Sequence, residues 1–158
     1  MILNELGNIV KHSNAQNKAV AKAAFVAAGL FDFCISIVEA FAEAGGEGTD
    51  GVHCYVLYAA IGRLREMWQE PGCIQKIRAI ASPLSFCLEP AHDLVLMEQL
   101  GLSSGASAAK LCAVVFGRDD GGSGFTFTQV QVDRMCAVTQ APTALAEVGD
   151  LACWMPFC

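Results

Sequence analysis

Apolar positions recur at helical spacing through most of this chain. Between Gly29 and Gly45, Leu30, Cys34, Ile37, Val38 and Phe41 fall on one stripe, while Asp32, Ser36, Glu39 and Glu43 fall on the opposite one. That pattern predicts a helix over 30–44 with a single buried face. From Val52 to Trp68 the pattern changes, because Cys54-Tyr-Val-Leu-Tyr-Ala-Ala-Ile61 carries no charge at all. A helix there is apolar around most of its circumference and has to be covered on several sides. The passage from Asn17 to Trp68 therefore predicts stacked helices, and the rest of the chain is organised around it.

The remaining segments follow the same period. Leu3, Leu6, Ile9 and Val10 give residues 1–11 an apolar stripe. Ser13 and Gln16 have the form of a capping box that opens an Ala-rich helix from about 14 to 28. Gly29 then permits a sharp turn, and the glycine loop from Gly45 to Gly51 ends at Thr49 or Asp50 as the next N-cap. The helix from Val52 stops near Glu70-Pro71-Gly72. Ile74, Ile77 and Ile80 define a one-face helix over 73–81, and Ser82-Pro83 marks a restart. Leu94 to Leu100 reads as a short apolar helix ended by Gly101, and in 106–116 Ala109, Cys112, Ala113 and Phe116 share a face. A second glycine loop, 117–124, leads to Thr128 and Gln131, another capping box, and a helix through about Val138. Leu145, Val148 and Leu151 predict a last helix past Pro142. No strand is expected: Phe125-Thr-Phe-Thr128 alternates over only four residues and reads as a turn. The expected fold is all-α.

Composition narrows the function classes. The 158 residues fit one domain, able to bury roughly 70% of its unfolded surface. Ten Lys and Arg against sixteen Asp and Glu give a net charge of −6, which excludes a nucleic-acid partner as the expectation. Eight cysteines are spread out with no Cys-x-x-Cys pair, so zinc ribbons and thioredoxin-like pairs lack their ligands. They read as reduced thiols acting as small hydrophobes in a reducing, cytoplasmic compartment. Met1 to His12 lacks the basic start and apolar run of a signal peptide. The most apolar window, Ala19 to Ala44, carries Lys22, Asp32, Glu39 and Glu43. At bilayer depth each such charge costs about 2.5–3.5 kcal/mol, so a packed helix pair is expected there rather than a membrane span.

Internal spacing adds a resemblance. Gly29 in Val26-Ala-Ala-Gly-Leu-Phe31 stands 43 residues before Gly72 in Gln69-Glu-Pro-Gly-Cys-Ile74, and each opens a helix after a break. Asn17-Lys18, Phe25 to Phe31, the glycine loop and Tyr58-Ala-Ala-Ile-Gly-Arg-Leu64 resemble an armadillo repeat. The clearest unit is 17–68; a weaker one over 72–116 ends in Ala108 to Phe116, shifted by an insertion, and C-terminal helices occupy 128–154. The resemblance implies stacked helical hairpins in a right-handed superhelix, whose concave groove binds extended peptides through asparagines on the third helices. Arg63 and Val114 stand at those asparagine positions, so the asparagine ladder is absent while a scaffold for other proteins remains implied. Two or three units are few for a solenoid, and the apolar finish from Leu151 to Cys158 fits a fragment of a longer array.

Candidate chemistry is sparse. His53 and Cys54 are adjacent, hence about 100° apart on a helix, a poor base and nucleophile pair. Asp119-Asp120 before Gly-Gly-Ser-Gly lacks the alternating oxygen ligands of a calcium loop. Neither a catalytic centre nor a cofactor or metal is expected. Arg63, Arg65 and Arg118, beside apolar helices in an acidic chain, are the candidate partner-binding residues, with Trp68 as an anchor; a salt bridge from the arginines to Glu66 and a core role for Trp68 compete with that. The sequence thus points to a non-enzymatic interaction scaffold. The alternatives are a subunit of a membrane-bound complex and, behind it, a cysteine-dependent enzyme, which requires a thiol of depressed pKa.

Overall fold

A computed structural model describes residues 2–46, 51–117 and 124–140. Its helices are α1 (Ile2–His12), α2 (Ala15–Ala27), α3 (Leu30–Glu43), α4 (Gly51–Met67), α5 (Cys73–Ala79), α6 (Ala81–Leu88), α7 (Ser104–Phe116) and α8 (Gln129–Gln140). The described part of the chain is all-α apart from one small hairpin between α6 and α7. Gly29 and Gly72 adopt φ of 84° and 81°, the left-handed conformation that reverses the chain ahead of α3 and α5. Thr128 and Gln131 form the expected reciprocal box, with the Thr128 amide 2.9 Å from Gln131 Oε1 and the Gln131 amide 3.3 Å from Thr128 Oγ1.

Two local expectations are corrected. The cap of α2 is Asn14, whose carboxamide oxygen accepts the Asn17 amide at 2.9 Å. The Ser13 hydroxyl turns back and donates to the Ile9 carbonyl of α1 instead. Residues 94–100 are not a helix. Val95–Met97 (β1) pairs antiparallel with Leu102–Ser103 (β2), joined by a 3₁₀ turn at Glu98–Leu100 and by Gly101 at φ 63°. Seven residues are too few to nucleate a stable helix on their own. Here Ser104 supplies two competing bonds: its hydroxyl accepts the Leu94 amide at 3.1 Å and its amide donates to the Leu94 carbonyl at 3.0 Å.

Packing is centred on two helices. α4 buries Cys54, Leu57, Ala59, Ala60, Ile61, Leu64 and Met67, and is covered by α1, α3, α7 and β1. α7 buries ten of its thirteen residues, far more than the one face its sequence suggests, and is covered by α4, α6 and α8. Gly105, Ser107, Ala108 and Ala109 make this feasible, since small side chains let neighbouring backbones approach. α3 packs on α4 and on α6, and α5 touches both α3 and α7. At the surface the Lys76 ammonium meets Asp32 Oδ1 at 2.7 Å, tying α5 to α3; both groups are about half exposed, so this pair adds little stability. α2 differs from every other helix in burying none of its residues.

Among the described residues no single helix is long and apolar enough to cross a membrane. α2 and α3 together have the length and composition but are bent by 62° at the break between them.

The two kinds of surface predict different sensitivities. Leu64→Ala in α4 should lower unfolding stability by about 2–5 kcal/mol, and Val20→Ala on the exposed side of α2 should change it by less than about 0.5 kcal/mol, both read by urea denaturation. Equal effects at the two positions would contradict this packing.

Candidate functional site

Side chains from three helices enclose a cavity of about 410 Å³. On α4, Tyr58, Gly62, Arg65 and Glu66 line it at four- and three-residue steps, so they share one stripe of the helix. Ser107, Leu111 and Val114 of α7 repeat the spacing on the facing wall, and Asn4 and Lys11 of α1, seven residues apart, close the rim. Trp68, just beyond the end of α4, completes the lining. Arg63, Arg65 and Trp68, singled out from the sequence, are thus brought together here. Arg118 lies outside the described residues, as do Asp119, Asp120 and Trp154.

Arg63 has an internal assignment. One terminal nitrogen donates to Glu66 Oε1 at 3.0 Å, and Nε stands 2.9 Å from Oε2 as an ion-pair contact without hydrogen-bond geometry. The other terminal nitrogen donates to the Leu3 carbonyl and thereby ties α1 to α4. The guanidinium lies against Gly7, where a Cβ would collide with it. Burial raises the Glu66 carboxyl above its ordinary pKa, and the Arg63 charge works in the opposite direction. Asn4 Nδ2 adds a hydrogen bond to the Tyr55 hydroxyl between the same two helices. Arg65 spans the other seam, with a terminal nitrogen 3.3 Å from Ser107 Oγ. Among the described residues, Lys11, Arg63, Arg65 and the carboxylate Glu66 line this cavity. Lys11, Tyr58 and Ser107 escaped sequence reasoning. Nothing in the chain marks α1 and α7 as neighbours of this part of α4.

A second polar seam fastens α8. Arg134 donates to the Leu88 carbonyl at 3.0 Å and pairs with Asp93, whose other oxygen accepts the Gly105 amide at 2.7 Å. Gln131 donates to the Ser85 carbonyl at 3.1 Å and to Glu89 Oε1 at 3.0 Å. Beside it, Glu39, Glu43, Phe86 and Glu89 line a cavity of about 460 Å³. His92 stacks on Phe86 with ring centroids 3.9 Å apart.

The thiols are free at Cys34, Cys54, Cys73, Cys87 and Cys112, all buried; Cys136 is half-buried. Burial pushes Cys34 and Cys87 up to about 12, and it raises Cys54, Cys73 and Cys112 as well. A raised thiol is a poor nucleophile at neutral pH. Among the described residues no three His, Cys, Asp or Glu side chains gather as metal ligands.

Comparison with known proteins yielded no matching family model, no matching curated protein and no matching solved structure.

The thiols give a pH prediction. In the unfolded chain Cys34 and Cys87 ionise near their ordinary 9.0, whereas in the folded chain they hold their protons up to about 12. Their contribution to stability is therefore complete below pH 9 and is lost as pH rises between those values. From about pH 8 to about pH 10 each should cost about 1.4 kcal/mol, so a Cys34→Ala, Cys87→Ala double variant should lose correspondingly less than the parent in urea titrations. Parallel losses in the two proteins would contradict the assignment.

Proposed function

We propose that this chain is an armadillo-like helical scaffold, without catalytic activity, that binds protein partners on the face shared by α4 and α7. The observation that carries the reading is the paired packing: α3 lies on α6, and α4 lies on α7. On this reading α3 with α4 forms one hairpin layer, and α5–α6 with α7 forms the next. Their first helices begin at Leu30 and Cys73, 43 residues apart, as in an armadillo array. The β1–β2 hairpin occupies the place where the second unit is longer than the first. Arg63 and Val114, at the positions where that family presents its groove asparagines, line the same 410 Å³ cavity, which supports a groove on this side. The right-handed superhelix is part of the proposal. The free, buried thiols support a reducing, cytoplasmic setting.

One observation favours a second reading, a subunit of a membrane-bound complex. α2 is rich in Ala and has no fully buried residue, with Phe25 and Val26 packed on the core but Val20 exposed, and Phe33 of α3 is also exposed, so a partner surface or lipid would find an apolar face there.

The test is a detergent-free pull-down of the tagged chain beside an Arg65→Glu variant with an unchanged circular-dichroism spectrum. The scaffold reading expects a soluble protein retained near one-to-one by the parent and reduced about tenfold or more by the charge reversal. Recovery of the chain only in the membrane pellet, with integral membrane proteins, would overturn it in favour of the second reading.

A further inference from the structure

α1 is attached to the body of the molecule by very little. It packs on α4 and on α2, and its buried residues, Leu3, Gly7 and Val10, fall at steps of four and three. Among the described residues, Leu3 joins the contiguous core and Val10 does not. Ile2 and Ile9 of the same helix are exposed. An 11-residue helix is marginal in water by itself, so α1 owes its order to this seat.

The seat selects its occupant. Arg63 of α4 donates to the Leu3 carbonyl, and its guanidinium lies against Gly7 in the space that a Cβ would take. Asn4 adds a bond to the Tyr55 hydroxyl. A helix fits here when it carries apolar side chains at i and i+7 and a glycine at i+4. Anchors at that spacing are how amphipathic helices lie in a partner's groove. The fit of α1 is also incomplete: Arg63 Nε and Glu66 Oε2 are buried without a hydrogen bond, and atoms of that kind weigh against the closed form. Burial raises the Glu66 carboxyl for the same reason, since its charge loses hydration here.

We propose that the seat of α1 on α4 is a docking groove for amphipathic helices, that α1 fills it as an internal stand-in, and that a partner helix with the same apolar, glycine, apolar stripe displaces α1 to bind. The proposal rests on the scaffold reading and names the partner's form and the regulation of the site. With α1 seated, Asn4 and Lys11 also close the rim of the cavity between α4 and α7, so its displacement opens that face.

The probe is a fluorescein-labelled synthetic peptide of residues 1–13, titrated into the full chain and into a full-length Leu3→Ala, Val10→Ala variant, whose own α1 is weakened while the seat is intact. A tethered α1 competes at an effective concentration of millimolar order, so the variant should bind the peptide at least about tenfold more tightly than the parent. A peptide with Gly7→Leu should bind the variant at least about tenfold more weakly, because its side chain meets the Arg63 guanidinium. A peptide that binds neither protein, binds both alike, or binds regardless of the residue at position 7 would overturn the inference while leaving the scaffold reading, with its partner elsewhere on α4 and α7, standing. A dimer of the variant that the peptide does not dissociate would overturn it in favour of a second copy as the occupant. If the variant does not fold, hydrogen exchange of the parent decides. Amides of α1 should exchange through local openings at least about tenfold more frequent than those of α4, and exchange of α1 only with global unfolding would overturn the proposal.

Discussion

Two helices, α4 over 54–67 and α7, whose side chains there are all buried or half-buried, set the architecture. α4 and α7 are apolar around most of their circumference, and a helix of that kind has to be covered on every side. They cover each other along one side, and the rest of the fold supplies the other sides: α1, α3 and β1 for α4, α6 and α8 for α7. Neither is stable by itself, since 13- and 17-residue helices are marginal in water and draw their stability from packing. The small residues at the start of α7 set how closely its neighbours approach. The branched and larger ones after them, Leu111, Val114 and Val115, are buried in the core.

The covering helices are fastened by a device used twice. Arg63 lies over Gly7, pairs with Glu66 and donates to the Leu3 carbonyl, which holds α1 on α4. Arg134 lies over Gly105, pairs with Asp93 and donates to the Leu88 carbonyl, which holds α8 on α6 and α7. In each case the missing Cβ makes room for a planar guanidinium, whose two terminal nitrogens are held by a helix carbonyl and a carboxylate. Arg63 therefore belongs first to the fold. The polar rim it creates, with Lys11 and Arg65 alongside, is what gives the neighbouring cavity its charge.

The helices and their breaks were legible in the sequence because they depend on local rules. Of the stripe expected in α3, Cys34, Val38 and Phe41 are buried, joined by Phe31, while Leu30 and Ile37 are half-buried; Gly29 and Gly72 take the left-handed turns, and Thr128 with Gln131 caps α8. The charge-free run 54–61 announced that α4 is covered on several sides, with Cys54, Leu57, Ala59, Ala60 and Ile61 buried and Tyr55, Val56 and Tyr58 half-buried. Two features were not legible. Residues 94–100 have an apolar content compatible with a short helix, and only Ser104, ten residues on from Leu94, turns the balance toward a hairpin. In α7 the apolar residues spread around the helix, so no single-face pattern could reveal burial on all sides. The candidate site was legible one residue at a time: Arg63, Arg65 and Trp68 stood out from an acidic, apolar chain. Their cavity was not, because its other walls come from α1 and α7, dozens of residues away in sequence.

The central claim is that α4 and α7 form one cooperative core to which the other helices are attached. Native-state hydrogen exchange tests it most directly. Amides of α4 and α7 should exchange slowest and with the same free energy, that of global unfolding, while those of α2, which has no fully buried residue, should exchange through local openings of lower free energy. Protection of α2 equal to that of α4, or clearly different exchange free energies for α4 and α7, would contradict a shared core.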